Sequence, residues 1–187
     1  DGTNVQLLKD FLYNLDPIIN YTDKLNKYPL FTIEETFFVD GIGCVVSGVV
    51  KSGKVNLGDR LIIGPFRGLF KNIMIKSIHD NFRNNVDHLE AGESGCFCIK
   101  GIKKDAIKKK NIKKGMIITN MSEESKAALE FSANVLILHH PTTIRTNYQP
   151  VIHCGPITQS AKICAIDKDC LRNGDRARVR FQFMNRP

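Results

Sequence analysis

From Leu30 to the end of the chain, short runs rich in valine, isoleucine and phenylalanine follow one another. The runs LFTIEETFFV, GCVVSGVV, DRLIIG, FKNIMIKSIH, GCFCIKG and GMIITN are separated by glycine and polar turn residues. Turn signals at intervals of roughly ten residues exclude long helices and predict a β-barrel or sandwich. A second set, LEFSANVLIL, YQPVIHCG, SAKICAI and RARVRFQFM, begins at Leu129, with Pro141 and Asn173-Gly174 at its corners. In its last run Val179, Phe181 and Phe183 alternate with Arg178, Arg180 and Gln182, so one face is buried and the other wet. Four such runs are too few to close a small barrel, so this unit reads as cut short. Before the β-rich part, apolar residues at Val5, Leu7, Leu8, Phe11, Leu12 and Leu15 mark one helix face over 5–15. Thr3 or Asn4 is placed to cap it, and Pro17 to stop it. The expected organisation is a helix and linker over 1–29, a β-barrel over 30–120, and a second, truncated barrel over 127–187.

Residues 48–55 read GVVKSGKV, close to the Gly-x4-Gly-Lys-Ser/Thr pattern of a phosphate-binding loop. Such a loop needs a hydroxyl after the lysine for magnesium, and must open a helix whose N-terminus supplies positive charge. Val55 has no hydroxyl, and Gly58, Asp59 and Gly64-Pro65 break any helix downstream. Lys51-Ser52-Gly53-Lys54 therefore reads as the turn of a β-hairpin with 45–50 as one arm.

The chain of 187 residues carries a formal net charge of +8, and the excess is local. Between Lys100 and Gly115 lie Lys100, Lys103, Lys104, Lys108, Lys109, Lys110, Lys113 and Lys114, against Asp105 alone. Such a cluster suits a polyanion, RNA above all; the alternative is a solvated loop without a partner. No apolar run approaches the ~20 residues that span a bilayer. The cysteines Cys44, Cys96, Cys98, Cys154, Cys164 and Cys170 form no C-x-x-C pair and read as free thiols in a reducing compartment. Cys96 and Cys98 lie on one face of their strand. His139, His140 and His153, with Cys154, match no standard zinc spacing. No G-x-S-x-G setting or acid/base pair stands out. The residues alone lead to a basic two-domain β-protein that binds RNA.

Three longer stretches carry a family resemblance. FTIEETFFVDGIGCVVSGVVKSGKVNLGDRLIIGP and AGESGCFCIKGIKKDAIKKKNIKKGMII resemble the opening and closing portions of the second domain of translational GTPases, the elongation factor Tu superfamily. EFSANVLILHHPTTIRTNYQPVIHCGPITQSAKI resembles the start of the third domain. Within it HHPTTI and YQPVIHCG are similar to the eukaryotic GTP-binding protein one and two group. DGTNVQLLKDFL looks like the last helix of the GTPase domain, so the sequence reads as a fragment of a longer chain.

The resemblance implies an all-β fold of two tandem translation-factor-like barrels, the second incomplete, with one N-terminal helix left from the GTPase domain. It implies no catalysis and no cofactor in this chain, with GTP and magnesium held by the absent domain. The implied partners are tRNA, the ribosome and the GTPase domain in cis, for a cytoplasmic monomer without a membrane. Carried over by residue, Glu34, Glu35 and Phe37 match the acidic pair and aromatic beside an aminoacyl group. Val39, Gly41 and Val45 match the wall around a terminal adenine, and His79 a histidine near that end. Ser77 stands where the family has a ribose-gripping glutamate, and Ser94 where it has asparagine. Phosphate contacts fall to Lys103, Lys104, Lys108, Lys109, Lys110 and Lys113. Two alternatives stand beside this: that Phe37, Val39 and Val45 are simply barrel core, and that the chain is an RNA- or protein-interaction module without a tRNA-end pocket.

Overall fold

The structure is a computed structural model that describes residues 2–16, 18–101, 111–121, 127–155 and 157–185. Strands β1 (Leu30–Val39), β2 (Gly43–Ser52), β4 (Arg60–Phe66), β5 (Leu69–Asp80), β7 (Ser94–Gly101) and β8 (Ile117–Thr119) form a closed barrel in the order β1-β2-β7-β5-β4-β8. Short strands β3 (Lys54–Asn56) and β6 (His88–Glu90) pair beside it. All these pairings are antiparallel. Closure depends on β8, which pairs with β1 through Leu30–Thr32 and with β4 through Ile62–Gly64. Period-two alternation fills the interior: in β2, Cys44, Val46, Gly48 and Val50 are buried while Val45, Ser47 and Val49 are half-buried. Phe31, Ile33, Ile63, Ile73, Ile75 and Ile118 complete the centre, and the rings of Phe31 and Phe97 lie 4.4 Å apart. Each fully buried side chain of this kind contributes about 1.5–3 kcal/mol.

Two glycines let the sheet coil tightly enough to close. Gly48 on β2 faces Gly95 on β7. A Cβ on Gly48 would be driven into the Thr32 carbonyl oxygen and against the Phe31 ring. One on Gly95 would strike the His79 carbonyl oxygen and the Leu89 side chain. Neighbouring backbones thus occupy the space that side chains take elsewhere. β1 answers with a bulge between Ile33 and Glu35, opposite Gly48 and Ser47, which adds local bend and twist.

GVVKSGKV is neither a phosphate loop nor a hairpin turn. Val55 is fully buried in strand β3 and opens no helix. β2 and β3 are not paired with each other; they follow the continuous antiparallel course of β6 and β7. The Gly92 amide donates to the Val50 carbonyl (2.8 Å), the Ala91 amide to that of Gly53 (2.9 Å), and Lys54 then pairs with Glu90. Gly53, at φ +67°, is a bend in this run. Its glycine serves close approach: the Gly53 amide donates to the Lys24 carbonyl (2.8 Å), and a Cβ would lie 2.6 Å from the Pro29 nitrogen. The Ser52 hydroxyl donates to the Tyr28 carbonyl (2.8 Å), and a Cβ on Gly92 would stand 2.8 Å from the Tyr21 ring. The segment read as a linker is therefore docked along this edge, with a 3-10 turn at Thr22–Lys24.

Beyond the barrel, β9 (Glu130–Leu136), β10 (Val151–Cys154), β11 (Ile157–Ile166) and β12 (Arg176–Phe183) form an open antiparallel sheet in the order β10-β11-β12-β9. The alternation read in the last run holds, with Ala177, Val179 and Phe181 buried and Arg176, Arg178 and Arg180 exposed. Ile144, Ala161, Ile163 and Leu171 pack on the inner face, and Phe131 stacks on Phe181 with centroids 5.4 Å apart. The fold is all-β, a closed barrel followed by an incomplete one. The helix α1 (Val5–Tyr13) ends short of Leu15, and Asn4 takes the N-cap position at φ +67° without a side-chain cap bond. Left-handed backbone at Asn4 differs from the extended form that aims a cap oxygen at the first-turn amides. Pro17 lies outside the described residues.

Gly48→Ala, the smallest added side chain, should cost about 3 kcal/mol or more and lower the melting temperature by roughly 6–12 °C. Val49→Ala, one residue along on the wet face, should shift it by less than about 3 °C. Calorimetric melting compares them; equal shifts would contradict the closure argument.

Candidate nucleic-acid interface

The register gathers the expected tRNA-end residues on one outer face of the barrel. Phe37 pairs with Val45, Val45 with Cys98, and Cys98 with Ser77, giving one row across β1, β2, β7 and β5. Glu35, Ser47, Cys96 and His79 form a parallel row two residues along. At about 4.8 Å per strand step and 6.8 Å between rows, the two rows cover a patch of about 15 by 7 Å. The residues between them, Val46, Phe97 and Ile78, are buried in the barrel interior, and within the first row Cys98 is buried as well. A second bulge, between Ile75 and Ser77, keeps Ser77 and His79 on the same outer face as Cys98 and Cys96. Glu34 is the extra residue of the first bulge, so the carboxylates of Glu34 and Glu35 are side by side in the exposed part of β1.

Phe37 is 43% exposed and Val39 39%, which rules out barrel core for both. Val45 is half-buried. Val39 pairs with Gly43 at the mouth of the β1–β2 hairpin, whose loop holds Gly41 at φ +77° and Gly43 at φ +111°. A Cβ at either glycine would meet nothing within 4 Å, so conformation and not packing demands them. Open space beside bare backbone is what a flat ring needs to approach closely.

Several residues of this face escaped the sequence reading. The Cys98 thiol, between Val45 and Ser77, donates to the Ile42 carbonyl at 3.6 Å and ties the hairpin loop over the face. Ser47 supplies a hydroxyl in the second row. Asn81 donates its side-chain amide to the Ser94 hydroxyl at 2.8 Å. Ser94, where the resemblance implies asparagine, thus has an amide delivered beside it from the next loop. That loop is organised by Asp80, which accepts from the backbone amides of Phe82 and Asn84 (both 2.8 Å) and from the Asn84 side chain (3.0 Å). The Asn84 side-chain bond leads in holding the Asp80 carboxyl below its usual range, with the backbone amides and neighbouring His79 adding to it against some desolvation. The depressed value means that this loop's charge-linked stabilisation is present above the ordinary aspartate range and is lost as pH falls through the lowered one.

Of the expected phosphate-contacting lysines, Lys113 is exposed, while Lys103, Lys104, Lys108, Lys109 and Lys110 lie outside the described residues. The ring of His140 is engaged with the Thr142 carbonyl (2.6 Å) and the Tyr148 hydroxyl (3.1 Å), and that of His153 with the Thr158 hydroxyl (3.1 Å). Among the described residues no cluster of three or more His, Cys, Asp or Glu is placed to hold a metal.

Burial, and then the charge of Glu35, push the Cys96 thiol up. A raised value leaves less thiolate at neutral pH. Glu35→Gln should lower the pH midpoint for alkylation of Cys96 and speed its reaction near pH 8, with burial keeping the midpoint above that of a free thiol. Mass-spectrometric alkylation profiles read this, and an unchanged midpoint would contradict the shared row.

No protein-family profile matches the chain. Individual proteins do. GTP-binding protein 1 of Xenopus laevis is 40% identical over 187 residues, all of this chain and 27% of that protein. Human GTP-binding protein 2 is 31% identical over 191 residues, again all of this chain and 31% of that protein. Elongation factor 1-alpha of Cenarchaeum symbiosum is 31% identical over 134 residues, 72% of this chain and 28% of that protein. The chain thus spans about a third or less of the length of these relatives. With a closed barrel followed by an incomplete one, and similarity running from end to end, the chain belongs to the family of GTP-binding proteins 1 and 2 and elongation factor 1-alpha, of which it is an all-β part.

Proposed function

We propose that this region binds the aminoacylated 3′ end of tRNA and presents it to the ribosome, under the control of a GTP-binding domain in the intact protein. The observation that carries the reading is the pair of cross-strand rows, which puts an apolar slot, hydroxyls and two carboxylates on one outer face. The terminal adenine lies in the slot of Val39, Gly41 and Val45, where bare backbone admits a flat ring. The Ser77 hydroxyl bonds the ribose 2′-OH. Glu34 and Glu35 repel phosphates but suit the cationic α-amino group of the aminoacyl ester. Phe37 packs against the aminoacyl side chain, and His79 closes the far end of the second row.

GTP and magnesium belong to the domain of the intact protein that gives these relatives their name, and this chain takes no part in hydrolysis. The apolar face of α1, with Leu7, Leu8, Phe11 and Leu12 all more than half exposed, packs on that domain in cis. The docked linker at Gly53 and Gly92 transmits its position to the barrel. Among the described residues no helix is long and apolar enough to cross a membrane; the working form is a cytoplasmic monomer.

Binding of one tRNA in aminoacylated and deacylated forms tests the proposal, both with this chain and with the intact protein loaded with a non-hydrolysable GTP analogue. The aminoacylated form should bind more tightly, and Phe37→Ala should remove about 1–2 kcal/mol of that preference. Equal affinity for both forms in the intact protein would leave an interaction module without a tRNA-end pocket. Ser77→Glu should tighten binding of either form several-fold, because a charge-assisted bond to the 2′-OH is roughly twice as strong as a neutral one. No gain, or no loss when the terminal ribose is 2′-deoxy, would remove Ser77 from the site.

A further inference from the structure

We propose that Ser52 is a phosphorylation site for a kinase that reads basic flanks, and that its phosphate releases segment 18–29 from the edge of the barrel. Ser52 is the last residue of β2, and its hydroxyl donates to the Tyr28 carbonyl at 2.8 Å. The next residue, Gly53, bends the chain at φ +67° and donates its amide to the Lys24 carbonyl at 2.8 Å. With the Tyr21 ring against Gly92, these bonds fasten the segment to the barrel. The seam is tight: a Cβ on Gly53 would already lie 2.5 Å from the Lys27 carbonyl oxygen.

The bond from Ser52 to the segment needs a donor. A serine hydroxyl gives its proton to the Tyr28 carbonyl; a phosphoserine has none to give there. It carries instead about −1.5 to −2 charge at pH 7 and three acceptor oxygens. Acceptor would then face acceptor at the point where the segment is tied down, in a seam without room for the larger group. The flanks suit the modification. Lys51 precedes the serine and Lys54 follows it by two, both exposed, with no carboxylate between them. Kinases select substrates by such charge patterns. The β1–β2 register is irregular between Leu30 and Phe31, beside the Ser52 end of the ladder, so the half-buried serine sits where pairing is weakest. Transfer is balanced within the kinase: the bond from Ser52 Oγ to the γ-phosphorus of ATP forms as the bridging P–O bond breaks. ADP leaves, and the hydroxyl proton passes to the kinase's catalytic aspartate. Two lysines of the seam are already engaged, Lys54 with Glu90 at 3.1 Å and Lys24 over the Tyr21 ring at 5.0 Å, which favours release over recapture of the phosphate. The consequence for function rests on the linker role proposed above: a barrel freed from this segment no longer follows the GTP-binding domain.

The test incubates the intact protein with ATP and the catalytic domain of protein kinase C, which selects basic flanks, and maps the phosphate by mass spectrometry. Ser52 should be modified, and the double variant Lys51→Gln, Lys54→Gln should be modified there at least fivefold more slowly. Hydrogen exchange then compares the phosphorylated and unmodified proteins. The amides of residues 20–29 and of Gly53 should exchange at least tenfold faster after phosphorylation, while those of β5 and β7 keep their rates. No phosphate on Ser52 would overturn the proposal. So would an unchanged rate of modification in the double variant, or exchange over 20–29 that is unchanged or slower, as expected if the lysines clasp the phosphate. None of these readings involves tRNA, so failure of the 3′-end pocket is seen separately.

Discussion

The contact of Gly48 with Gly95 is the constraint on which the rest of the barrel depends. At this crossing the Thr32 and His79 carbonyls come so close that no side chain fits at either glycine. The close approach lets β1, β2, β7 and β5 coil together, and the three-residue β8 pairs with both β1 and β4. The bulge in β1 sits opposite the same glycine, so curvature, register and the exposed carboxylate pair share one cause. A motif that looks like nucleotide chemistry in one dimension is, in three, the pinch of a barrel and a bend against which the linker lies.

The candidate site follows from closure. Alternation across four paired strands forces every second residue outward, and register decides which of them meet. Phe37 and Ser77 are far apart in sequence and three strand steps apart in space. Since the backbone ladders hold the face, the strand positions that carry the hydroxyls and carboxylates are set before any ligand arrives, which lowers the ordering cost of binding. The Asn81 amide on Ser94 belongs to the same logic: a hydroxyl on one strand is met by a group from the next loop.

Much of this was legible in the sequence. Alternation in RARVRFQF set the buried and wet faces of β12, and the glycine-punctuated runs set the barrel. The strand pairings were harder. The partner of Lys54–Asn56 is His88–Glu90, and no local pattern announces a ladder between segments so far apart. Gly53 reads as a chain reversal because a turn and a close approach both call for the same residue; the carbonyl of Lys27 and the backbone of Pro29 that occupy its open side come from elsewhere. Cys98, Ser47 and Asn81 joined the site for the same non-local reason. At Asn4 the residue type suited a cap, but the left-handed backbone did not deliver one.

The most direct measurement of the central claim is an amide chemical-shift map of the isotopically labelled chain titrated with an aminoacylated acceptor-stem minihelix and with its deacylated twin. The account predicts that the difference between the two titrations falls on Glu34, Glu35, Phe37, Ser47 and Cys96, with shifts common to both at Val45, Ser77 and Cys98. A difference confined to other parts of the barrel or to the second sheet, with the two rows unmoved, would contradict it.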